Sequence, residues 1–143
     1  MARSFFALLP ALALFAGGCS VSSLLNQIED ESDKVVDLIC GCGIEMINGM
    51  TCEENFSVSL FGDADRGCVE DALNVDKAGS KDNLECSLDV VKEYRSCVED
   101  NLACDDPASY SQCASIFEDF EACPKVSDEV QDAVGRCLPD DGN

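Results

Sequence analysis

Eleven cysteines constrain this chain more than any other feature. In 143 residues that density points to a disulfide scaffold folded in an oxidising compartment, because a cytosolic chain keeps its thiols reduced. The number is odd, so one cysteine has no partner within the chain. Four of the others carry a readable geometry. Cys86 and Cys97 lie eleven residues apart in a stretch where Leu84, Leu88, Val91, Tyr94, Val98 and Leu102 recur at helical spacing. Eleven residues of α-helix turn through about 1100°, close to three full turns, so both sulfurs share one face. Cys113 and Cys123 are ten residues apart on the next helix and need some added twist to align. At 1.5 Å per residue the two intervals span about 16.5 and about 15 Å, and both nest around the same turn. The spacing predicts an antiparallel helical hairpin stapled by Cys97–Cys113 and Cys86–Cys123.

The rest of the chain reads as helical. Leu24, Leu25, Ile28, Val35, Val36, Leu38, Ile39 and Cys42 follow a three-to-four spacing, and that helix should stop at Gly41 or Gly43. Phe56, Val58 and Leu60 alternate with Ser57, Ser59 and Phe61, which suggests an extended loop. A short helix is expected over about 64–74, then a long one over 81–102 capped by Ser80. Asp106-Pro107 starts the second arm of the hairpin, with Tyr110, Cys113, Phe117, Phe120 and Cys123 on its inner face. Ser127 starts a last helix carrying Val130, Val134 and Cys137. Folded back along the second arm, that helix would return Cys137 to Cys104. Cys40, Cys42, Cys52 and Cys68 would then form two further bridges, their connectivity open. The fold class is all-α, a small disulfide-stapled helical bundle built around an α-hairpin. Its staples resemble the twin CX9C helical hairpins in geometry, although the first interval here is CX10C.

One internal echo stands out. Arg66-Gly-Cys68-Val-Glu-Asp-Ala-Leu73 and Arg95-Ser-Cys97-Val-Glu-Asp-Asn-Leu102 agree at six of eight positions, offset by 29 residues. Duplication of a helical unit and convergence on one amphipathic solution both account for it.

Charge and composition exclude several roles. Twenty-nine acidic against nine basic residues give a net charge of −20, which opposes binding to nucleic acid or an anionic lipid surface and favours a soluble monomer. There is no histidine, so the usual general base and the commonest metal ligand are missing. No serine sits in a G-x-S-x-G turn, and nothing marks a buried carboxylate pair. The sequence contains no recognisable catalytic constellation, and no cofactor or metal is expected. Asp63 with Asp65, Asp105 with Asp106, and Asp140 with Asp141 bring hard oxygens together, but none reproduces the ligand order of a calcium loop. Cys40-Gly41-Cys42 is the one candidate redox pair. Its nearest charges are Asp37 and Glu45, which raise a thiol pKa rather than lower it, so a structural role is favoured. Asn55-Phe56-Ser57 is a glycosylation sequon that matters only in a eukaryotic host.

The N-terminus reads as an address. Arg3 precedes an apolar run from Phe5 to Ala16 that is short for a membrane span, and small residues follow up to Cys19. An ordinary signal peptide cleaved near Gly18 is one reading. Phe15-Ala16-Gly17-Gly18-Cys19 also resembles the lipobox of bacterial lipoproteins, with Ala16 where that motif usually has leucine. The resemblance implies a signal over 1–18, a lipid-bearing Cys19 as the first mature residue, and a membrane reached through that lipid. Ser20, rather than Asp, after the cysteine implies the outer membrane, facing the periplasm or the cell surface. Cys19 would then be the odd cysteine, leaving ten that can pair. Residues 19–23 would form a polar tether and 24–143 one acidic helical domain. The expected role is a non-catalytic, lipid-anchored structural or interaction module for a protein with a basic surface. The alternatives are thiol–disulfide exchange at Cys40 and Cys42, or an unlipidated secreted carrier of a small ligand.

Overall fold

The computed structural model describes residues 19–43, 46–47, 50–56 and 65–138. The expected signal segment, the extended loop beyond Phe56, and Asp63, Asp140 and Asp141 lie outside them.

Helix α1 (Val21–Cys40) opens the domain. A two-stranded antiparallel hairpin follows, β1 (Met46–Ile47) with β2 (Met50–Thr51), pairing Met46 with Thr51. Then come α2 (Cys52–Phe56), α3 (Arg66–Leu73), α4 (Lys77–Asn101), a 3-10 helix (Pro107–Ala122) and α5 (Asp128–Gly135). The fold is all-helical apart from the small hairpin, as the periodicity predicts.

The helix limits have local causes. Ser20 takes an extended conformation and its hydroxyl accepts from the Ser23 N–H at 3.1 Å, capping α1. Gly43, at φ +79°, ends the turn after α1, the left-handed position where glycine avoids a Cβ clash. Thr51 and Glu54 form a capping box for α2: the Thr51 N–H donates to Glu54 at 2.9 Å and the Glu54 N–H to the Thr51 hydroxyl at 3.2 Å. The Thr51 backbone N–H first, and its hydroxyl second, hold the Glu54 carboxyl below the usual carboxylate range. Asp65 caps α3 through the Cys68 N–H at 2.8 Å. Helix α4 starts a turn earlier than the serine signal predicts. Asp76 is its cap, accepting from the Gly79 N–H at 3.1 Å, and Ser80 is fully buried inside the helix. A Cβ on residue 79 would fall 2.5 Å from an Asp76 side-chain oxygen, so a larger residue there would require that carboxylate to shift.

Two apolar clusters fix the packing. Val21, Leu24, Leu25 and Ile28 of α1 meet Leu84, Leu88 and Val91 of α4, Val69 and Leu73 of α3, and Val130 of α5. Val35 and Ile39 meet Val98, Cys52 and Cys113 further along. The first half of α1 thus packs on the first half of α4 and the second on the second, so the two helices run parallel. A parallel pair cannot be joined by a tight turn, and residues 41–76 supply the return path.

The second arm of the hairpin departs from expectation. It runs as a 16-residue 3-10 helix rather than an α-helix, although such runs rarely exceed four residues. Ten residues at α-helical pitch leave Cys123 about 80° short of the face of Cys113, and an ideal 3-10 helix carries it about 120° past, so the sulfurs share a face only at an intermediate winding of about 3.3 residues per turn. The more buried positions Tyr110, Cys113, Ile116, Phe120 and Cys123 recur at that intermediate spacing. Phe117, expected inside, is displaced outward and 46% exposed, while Ile116 takes its place against the core.

Candidate functional site: the cysteine set and the aromatic face

Cys86–Cys123 and Cys97–Cys113 are bonded as the nested spacing predicts, with Cα atoms 5.6 and 5.9 Å apart. Of the other three bridges, Cys40–Cys52 falls within the expected group of four, and two correct the expected set. Cys104 joins Cys42, not Cys137, and Cys137 joins Cys68. Cys40 pairs with Cys52. The reason is the parallel course of α1 and α4, which brings the C-terminal end of α1 to the turn holding Cys104. Helix α5 packs instead on α3, where Val69 and Val130 are both fully buried.

Cys40 and Cys42 therefore lead to different elements and are not bonded to each other. Among the described residues the free cysteine is Cys19, and it is exposed. Residues 20–23, expected as part of a polar tether, are the cap and first turn of α1, and Val21 is 1% exposed. Only Ser20 stands between Cys19 and the packed domain.

The two copies of the internal echo play the same part. Arg66 reaches Glu29 and, at 2.8 Å, the Asn26 side-chain oxygen on α1. Arg95 reaches Glu31 on the same helix at 2.6 Å and Glu99 at 2.9 Å. Cys68 and Cys97 each bond to a later segment, and Val69 and Val98 are each fully buried. Lys34 completes a small ion-pair network with Glu31 at 2.7 Å. The Lys34 ammonium first, with the Arg95 guanidinium, holds the Glu31 carboxyl below the usual range against the opposing effect of burial. An open groove of about 320 Å3 runs beside this network, lined by Lys34, Asp37, Leu38, Arg95 and Glu99. A second, more apolar groove of about 350 Å3 lies at Leu73, Leu84, Val126 and Val134.

A third surface is aromatic. The Tyr94 and Phe117 ring centroids are 4.4 Å apart, and Phe117 stacks on Phe120 at 6.0 Å with 11° between planes. The 3-10 winding builds this row, because side chains at i and i+3 eclipse in such a helix. Burial, and then the Tyr110 phenol, push the Tyr94 hydroxyl above its ordinary pKa. Sequence reading missed the row because it assigned Phe117 to the inner face; the ten-residue cysteine interval was the available signal.

Along the 3-10 arm of the row the charge is of one sign, while Lys92 and Arg95, which flank Tyr94 on α4, are paired with Asp89 and with Glu31 and Glu99. No lysine or arginine occurs from residue 96 to residue 124, and Glu118, Asp119 and Glu121 of the 3-10 helix are all exposed. Among the described residues no group of three or more candidate ligands is placed to hold a metal ion; Asp65 serves instead as the α3 cap. Nor, among them, is any helix long and apolar enough to cross a membrane. Compared with known proteins, the chain matches no family model, no curated protein and no solved structure.

Proposed function

We propose that the chain is a non-catalytic lipoprotein whose acidic, disulfide-stapled helical domain is held at a membrane through a lipid on Cys19 and presents its surface to a protein partner with a basic face. The observation that carries this reading is the cysteine partition: ten are bonded, and the free one follows the lipobox-like segment. Five bridges also require an oxidising compartment for folding. Ser20 favours the outer membrane on the sorting rule that the resemblance implies. With α1 starting at Val21, the anchor would hold the domain without slack, so its orientation at the membrane would be restricted. Several acyl chains on one residue would anchor it stably where a single chain would not.

Thiol exchange at Cys40 and Cys42 has less support, since each is committed to a separate structural bridge. A small-ligand carrier has less support as well, because the apolar groove at Val126 and Val134 is open at the surface.

Intact-mass and peptide analysis of the membrane fraction tests the reading. The expected result is a mature N-terminal peptide that begins at Cys19 and carries diacylglycerol. A mature chain with an unmodified Cys19 thiol, recovered in the soluble fraction, would overturn it.

A further inference from the structure

We infer that the row formed by Tyr94, Phe117 and Phe120, with Phe117 its exposed member and the other two half-buried against the core, is the contact face for a basic segment of the partner protein, a segment that presents arginine together with apolar side chains. The inference rests on the interaction role proposed above and gives it a location. Phe117 is an exposed aromatic side chain that continues into a row rather than standing alone: it leaves 46% of its surface in water while touching Tyr94 on one side and Phe120 on the other. Exposed Met50, Val75 and Leu138 belong to no such row.

Charge selects the occupant. Glu118, Asp119 and Glu121 are exposed on the same helix, the 96–124 stretch has no lysine or arginine, and the cations flanking Tyr94, Lys92 and Arg95, already pair with Asp89 and with Glu31 and Glu99. Arginine fits both halves of the surface, since its guanidinium stacks on an aromatic ring and also pairs with carboxylates. An anionic lipid or nucleic acid would be repelled, and so would a second copy of this acidic chain. A free cation would make no use of the rings. The face is also held in place before any encounter, because the bridges at Cys113 and Cys123 bracket Phe117 and Phe120 and fasten both ends to α4. Such preorganisation lowers the ordering cost of association.

The test uses the full oxidised chain, labelled for NMR and titrated with a twelve-residue peptide of alternating arginine and leucine. A control peptide has glutamate in place of arginine. We expect the arginine peptide to shift the rings of Tyr94, Phe117 and Phe120 and the amides of Glu118, Asp119 and Glu121, with an affinity that falls as salt is added. The control should leave them unmoved. Phe117→Ser should weaken binding about tenfold or more. A thiol count of zero beyond Cys19 shows that this surface variant keeps its bridges. Replacing Glu118, Asp119 and Glu121 by their amides should weaken binding and flatten its salt dependence. Binding that maps elsewhere and survives Phe117→Ser would overturn this site but leave the acidic interaction module standing. No binding of the arginine peptide on any face would overturn both. Ring shifts that follow protein concentration alone, and vanish in Phe117→Ser, would identify a second copy as the occupant and overturn the basic partner.

Discussion

Arg95 and Glu31 join α4 to α1 at 2.6 Å, and Arg66 repeats the arrangement from α3 with Glu29, two residues earlier on the same helix. Two residues turn an α-helix through about 200°, so the two arginines hold α1 from nearly opposite sides. Each belongs to one copy of the eight-residue echo. The shared Arg-x-Cys-Val pattern thus has a common physical content: a cation for α1, a bridge to a later segment, and a valine in the core.

The Glu31 contact makes stability depend on pH. Its carboxyl titrates lower in the folded chain than in the unfolded one, so its contribution is complete above the ordinary carboxylate pKa and disappears as pH falls through the lowered folded value. Glu31→Gln should cost about 1 kcal/mol at pH 7, since the pair is partly screened. That difference from the parent chain should vanish in acid. Urea unfolding of both chains from pH 7 to pH 2 measures it. A difference that persists at the lowest pH would assign the effect to packing.

Disulfide connectivity supplies a second check. Non-reducing peptide mapping should recover Cys42 with Cys104 and Cys68 with Cys137; a Cys104–Cys137 peptide would contradict the parallel α1–α4 pair. The Cys42–Cys104 bridge closes a separation of 62 residues, and Cys40–Cys52 one of only 12. On a chain-entropy view, replacing both members of the longer one by serine should cost about 4 kcal/mol against about 3 for the shorter. Thermal or denaturant unfolding of the two double variants gives the order.

A single insertion tests whether the staples set the winding of the 3-10 helix. One alanine between Glu118 and Asp119 makes the Cys113 interval equal to that of Cys86 and Cys97, and an α-helix of that length aligns both sulfurs. We expect the segment to change from i+3 to i+4 hydrogen bonding, read from short-range NOEs, and the Phe117–Phe120 stacking to be lost. Retention of the i+3 pattern would show that the staples do not set the winding.

Ser80 tests the cost of an isolated polar group. Its residue is fully buried and its hydroxyl oxygen has no hydrogen-bond partner. Ser80→Ala removes that unsatisfied group and introduces a better helix former, so stability should rise by about 0.5–1 kcal/mol. A lower melting temperature would mean that the hydroxyl has a partner in solution.

How much of this was legible in the residues depends on the range of the interaction. The helix over 64–74 and the last helix after Ser127 were readable because capping and periodicity act within one or two turns. The start of α4 was misplaced by a turn because Asp76 and Ser80 both carry cap chemistry, and burial decided between them. Phe117 was placed on the inner face because an α-helical period was assumed for a segment that is wound as a 3-10 helix.

The sequence by itself determined an acidic, all-helical, cysteine-stapled chain and the hairpin of Cys86, Cys97, Cys113 and Cys123. Spacing and net charge are properties of the covalent chain, and nested intervals leave few pairings. Tertiary structure decided the rest: that α1 runs parallel to α4, that Cys42 therefore meets Cys104 and Cys68 meets Cys137, and that residues 20–23 are the cap and first turn of a helix rather than a tether. It also decided that an overwound arm turns Phe117 to the surface. Those outcomes depend on which apolar faces bury each other far along the chain, as at the bridges that span 62 and 69 residues, and no local signal encodes that choice.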